Sequence, residues 1–118
     1  MKAFWFASGA VLLLVALIIT NGVYLSHVTD ELEEMALELT EGDTEAVLSL
    51  QEYWKGHENI VCFSVSHNDV DDLNVALEVL IEKCRENESD GFYEYKARLI
   101  NSIVEIRNKE RVHIHNIL

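Results

Sequence analysis

The stretch WKGHENIVCFSVSHNDVDD, residues 54–72, holds two histidines, a cysteine, a tryptophan and four acids in nineteen positions. Residues of these types serve metal binding, thiol catalysis or proton sensing. A calcium loop of the EF-hand kind needs oxygen ligands at alternating positions, a glycine at the sixth and a glutamate at the twelfth. The twelve residues from Asp69, DVDDLNVALEVL, place asparagine sixth and leucine twelfth, so Asp69, Asp71 and Asp72 do not form one. Zinc needs three or four convergent ligands. His57, Cys62 and His67 do not repeat at i, i+4 as a helical metalloprotease pair does; His113-x-His115 would face apart on a helix, and only on an extended tail would the two face together as a transition-metal clip. No metal ligand set and no cofactor site is read here.

Cys62 beside a histidine raises thiol catalysis. That chemistry needs a base at the thiol, an oxyanion hole and a cleft. A helical unit of about 90 residues offers little room for a cleft. The chain has no G-x-S-x-G and no P-loop. The expectation is no enzyme and no catalytic residue. The two cysteines, Cys62 and Cys84, are expected to be buried small hydrophobes. With a chain reversal near His67 their axial offset is ~16 Å, beyond the ~7 Å Cα limit of a disulfide.

The same stretch reads more simply as a joint between two helices. His57 falls one turn from Trp54 and from Val61, on an apolar stripe, as a packed and hydrogen-bonded histidine. His67 lies at the joint, where an imidazole can satisfy a free helix-end group. Asp69, Asp71 and Asp72 fall in a first turn, where the helix dipole favours acids. Trp54, His57, His67 and Asp71 are therefore the candidate structural or partner-contact positions.

The elements that position them begin with AFWFASGAVLLLVALIITNGVYL, residues 3–25, which carries no charge. Its helical length of ~34 Å exceeds a hydrocarbon core of about 30 Å. The apolar run is longer than a signal-peptide core, and Thr20-Asn21-Gly22 is a poor cleavage site. The segment reads as an uncleaved anchor in the lipid bilayer. Lys2 precedes it and the next basic residue is Lys55, which favours a cytoplasmic N-terminus and an extracytoplasmic remainder in the cell membrane. The expected division is an anchor at 1–27 and an acidic extracytoplasmic helical domain at 28–118.

The net charge of −12 excludes an electrostatic case for nucleic acid. Residues 30–90 hold 18 Asp or Glu against Lys55, Lys83 and Arg85, whereas Lys96, Arg98, Arg107, Lys109 and Arg111 make the last segment basic. A basic last helix packed on an acidic surface is expected. With no proline and many Glu, Leu and Ala, the fold class is all-α. The anchor is expected to run on as one rod to Gly42, with Asn21-Gly22 its soft point. Asp43 or Thr44 caps a helix carrying Val47, Leu50, Trp54, Val61 and Val65. Ser66 or Asn68 caps the next, with Val70, Leu73, Leu77, Leu80, Ile81 and Cys84. Ser89 or Asp90 opens the last, with Phe92, Tyr95, Leu99, Ile103 and Ile106. The architecture is a transmembrane helix followed by a small antiparallel bundle of about three helices, or four if the rod breaks.

A charge-poor span, an acidic helix, Trp54 followed by His57, Phe63, His67 and Asp71, a leucine-rich helix with Leu77, and the closing Asn116-Ile117-Leu118 resemble domain of unknown function family 4363. These are small membrane-anchored helical proteins of clostridia and relatives. The resemblance implies a single-pass anchor and a helical domain, and no catalytic residues. The expected function is a non-enzymatic interaction or accessory module for a membrane-protein partner. An extracytoplasmic cation or pH sensor is the alternative, motivated by the acids and five histidines, and a small thiol enzyme is the third.

Overall fold

A computed structural model describes residues 2–87 and 90–117, with side chains described as far as Glu110. Among the described residues there are four helices: α1 (Lys2–Leu37), α2 (Thr44–Cys62), α3 (His67–Arg85) and α4 (Phe92–Ile117). No strand occurs among the described residues. The molecule is long and narrow, 68 × 23 × 21 Å.

Helix α1 runs unbroken through Asn21-Gly22, so the expected soft point does not break it. It contains a stretch long and apolar enough to cross a membrane, none of which is buried against the rest of the chain. From Gly22 onward the same helix carries a packed stripe of Gly22, Leu25, Val28, Thr29, Leu32 and Ala36. The spacing of three and four is that of a core-facing helix. The rod stops at Leu37, short of the expected Gly42. The chain turns through a backbone bond from Leu39 N–H to the Ala36 carbonyl, and Leu39 folds into the core. Gly42 serves the reversal itself, with φ +84°, a conformation costly for residues with a Cβ.

The bundle therefore has four members, the outer half of α1 followed by α2, α3 and α4, each antiparallel to the one before. Helix α1 packs on α2 and α4, and α3 packs on the same two. Diagonal pairs do not meet, which is the square arrangement of an up-down-up-down bundle. Asp43 caps α2 by accepting a hydrogen bond from Ala46 N–H at 3.2 Å. Ser66 stands at the N-cap of α3 without a side-chain bond. Of the two residues expected to open α4, Asp90 accepts a bond from Lys83 Nζ through its carbonyl, and Ser89 lies outside the described residues.

One continuous core joins the four stripes. Its largest fully buried side chains include Trp54, Phe92, Leu25, Leu32, Leu50, Leu73 and Ile103. Every apolar position expected on α3 is buried, together with Ala76. On α4 Phe92, Leu99, Ile103 and Ile106 are buried, with Tyr95 packed at the margin.

Candidate functional site

Trp54 is 1 % exposed. Its indole N–H donates to Asn74 Oδ1 on α3 at 2.7 Å. The bond lets a large apolar ring be buried without leaving its one polar group unsatisfied. Trp54, Val61, Leu73, Leu77 and Leu80 belong to one core, as the two stripes predict.

His57 departs from that arrangement. It is half-buried and turns toward α1 rather than α3. Its Nδ1 shares a hydrogen bond with the Tyr24 hydroxyl, and its ring lies 4.6 Å from that of Tyr53. Helix α2 is wedged between α1 and α3, so residues three apart on one broad face can serve different neighbours. Desolvation, then the nearby Glu31 and Tyr24, hold the Tyr53 hydroxyl above its usual pKa.

His67 is the first residue of α3, exposed, and makes no side-chain hydrogen bond among the described residues; the expected helix-end bond does not form. Asp71 is exposed as well. The structure thus does not bring Trp54, His57, His67 and Asp71 together. Among the described residues no three His, Cys, Asp or Glu side chains converge to hold a metal ion. The His113 and His115 side chains lie outside those described.

Both cysteines are free thiols. Cys84 is buried as expected, but Cys62 is exposed. It follows Val61 by one residue, about 100° around the helix, and so leaves the core face. Desolvation and the neighbouring Glu58 and Asp71 carboxylates push the Cys62 thiol up. Burial likewise pushes up Cys84, against a backbone hydrogen bond at Gly42 and the opposing pull of the Thr44 side chain. Neither environment favours a thiolate nucleophile.

The charge pattern resolves into specific contacts. Arg107 on α4 reaches Asp30 and Glu33 on α1. Burial works against its charge, yet those two partners hold its pKa above the usual value. Its Nε is buried without a partner. Lys109 binds both carboxylate oxygens of Asp69, at 2.9 and 3.1 Å, and that hydrogen-bonded pairing raises its pKa. Lys96 donates to the Leu37 and Leu39 carbonyls at 3.0 and 2.9 Å. It therefore closes the C-terminal end of α1, where carbonyls lack helical partners. The basic last helix is a clasp on its acidic neighbours. Asp69 is accordingly more than a first-turn charge: it is 7 % exposed and paired across helices.

A further contact escaped the sequence. Asn21 Nδ2 donates to Ser64 Oγ at 2.6 Å. It ties the corner between α2 and α3 to α1 at the point where the apolar stretch ends. Nothing in the local pattern of either residue signals a partner 43 positions away. The depressions on the surface are open; one of about 510 Å³ is lined by Asn101, Val104, Glu105, Asn108 and Lys109, all on α4, and another lies between Asp72 and Ala76 of α3 and Arg98 and Glu105 of α4.

A family model matches residues 22–117, and its description is a domain of unknown function, DUF4363. The match starts at Gly22, the residue where burial starts on α1, so the family feature coincides with the packed bundle. No curated protein and no solved structure matches the chain.

Proposed function

The chain belongs to the DUF4363 family, and on that premise we propose that it is a non-enzymatic, membrane-anchored helical module that acts by contacting another membrane protein. One observation carries the reading: the apolar span and the first helix of the bundle are a single 36-residue helix. A continuous helix transmits rotation or displacement between bilayer and bundle, which a flexible tether does not. No part of the apolar stretch is buried against the rest of the chain, which leaves it free to meet lipid or a neighbouring helix. The bundle interior is filled by apolar side chains, and among the described residues no three His, Cys, Asp or Glu side chains converge as a metal site would require. These features support contact rather than catalysis.

In this reading the N-terminus is cytoplasmic, the bundle is extracytoplasmic, and the chain is held in the cell membrane by α1. The paucity of basic residues after the span supports that orientation. Photo-crosslinkers at Leu13 in the span and Val75 on the exposed face of α3 test the reading in native membranes. A discrete adduct of one mass, abolished by solubilising and diluting the membranes, is expected. Adducts with lipid alone from both positions contradict a protein partner.

A further inference from the structure

The corner between α2 and α3 exposes large apolar side chains beside its polar Ser66 and His67. Phe63 is 92 % exposed and Ile60, three residues earlier on the same face, is 50 % exposed. Among the described residues, Phe63 is by far the most exposed large apolar side chain of the bundle outside the span. Its height along the molecule is fixed by the next residue, Ser64, through the bond to Asn21. Counted from Ala3, about 20 helical residues cover a hydrocarbon core of ~30 Å. With α1 read as a membrane helix, that count ends at Gly22, within the uncharged run 3–25, and sets Asn21 and the corner tied to it near the outer boundary of the hydrocarbon.

We propose that this corner is a second membrane contact, in which Phe63 and Ile60 enter the boundary between acyl chains and headgroups beside the α1 span. The proposal rests on the reading of α1 as a membrane helix. Lipid is the occupant because the corner is level with the end of the span, and the span beside it is unburied. Phenylalanine and aliphatic side chains form the apolar faces that bury at the headgroup–acyl boundary. The contact is apolar rather than electrostatic, since Glu58 and Asp71 lie close enough to Cys62 to raise its pKa and would repel anionic headgroups. Two attachment points fix the tilt of a rod that one helix alone leaves free. A side chain of this size shifts the corner toward the inserted state about tenfold.

The native tryptophans supply the test. Trp5 lies in the span and Trp54 in the core. The full-length wild type, Trp5→Phe and Trp5→Phe/Phe63→Trp are reconstituted in phosphatidylcholine vesicles carrying a quencher high on the acyl chain. Wild type should be quenched through Trp5, Trp5→Phe only weakly, and the double variant strongly through its new indole. Quenching of wild type with none in the double variant beyond Trp5→Phe overturns the second contact while the span stands. An indole at position 63 shielded from both the lipid quencher and aqueous acrylamide is covered by protein, which also overturns it. No quenching of Trp5 by lipid at any depth removes the span, and the proposal with it.

Discussion

The two halves of α1 share one backbone and face opposite environments. Residues 3–20 are apolar on all sides and touch little of the chain, while residues 22–37 carry an apolar stripe on one side and acids on the other. Asp30 and Glu33 on the outer half meet Arg107, whereas the inner half has no charged residue after Lys2. The contrast teaches that helix continuity and packing are separate matters. Backbone hydrogen bonding carries the helix through Asn21-Gly22, and the pattern of side chains decides which half the bundle claims. Gly22, the first buried residue of α1, marks the changeover.

The sharpest way to break the outer half's role is to remove what it packs against. Trp54→Ala should destabilise the bundle by about 3–5 kcal/mol, by emptying the core between α2 and α3. It should be read by denaturant unfolding of the full chain in a mild detergent; an unchanged midpoint would place the tryptophan outside the core. Next, water-soluble fragments starting at residues 22 and 28 separate burial from hydropathy. The shorter one lacks Leu25 and the Tyr24–His57 bond, and should be less stable by roughly 2–5 kcal/mol. Equal stability would return the boundary to residue 28. By contrast Leu13→Ala, in the exposed half, should leave the bundle's unfolding midpoint where it was.

Smaller effects sharpen the polar side of the comparison. Arg107→Ala leaves Glu33 and Asp30 without their partner and should cost about 1.5–3 kcal/mol, with less than that in high salt because Asp30 is largely exposed. A loss that is unchanged by salt would point to packing by the arginine stem instead. The smallest effect belongs to His67→Ala. An exposed side chain without a bond should change stability by no more than about 0.5 kcal/mol. A loss above ~1 kcal/mol would reveal a helix-end bond at that joint.

Much of the fold was legible because apolar spacing is a one-dimensional signal. Leu73, Leu77 and Leu80 on α3, or Leu99, Ile103 and Ile106 on α4, announce a face by their steps of three and four. The Asp43 cap and the basic character of α4 are equally local. The membership of α1 in the bundle was half legible: Val28, Leu32 and Ala36 keep the period, but Gly22 and Leu25 are hidden inside a run where every residue is apolar. The candidate residues fared less evenly. Trp54 follows from its stripe. His57 shares that stripe yet answers to Tyr24 on another helix, and Cys62 is adjacent to a core position without being one. The bonds Trp54–Asn74, Asn21–Ser64 and Lys109–Asp69 join residues 20 to 43 positions apart. Such pairings depend on the mutual rotation of helices, which no local pattern carries.

The central claim is that span and bundle share one rigid helix. It is tested most directly by a pulsed electron-spin distance between labels at Leu13 and Leu37, both exposed on α1, in lipid bilayers with Cys62 and Cys84 replaced. Twenty-four residues of unbroken helix predict a single narrow distance near ~36 Å between backbone positions, before the reach of the labels. A shorter and broad distribution would mean that the helix bends or breaks at Asn21-Gly22, and that the bundle is tethered to the membrane rather than built on its anchor.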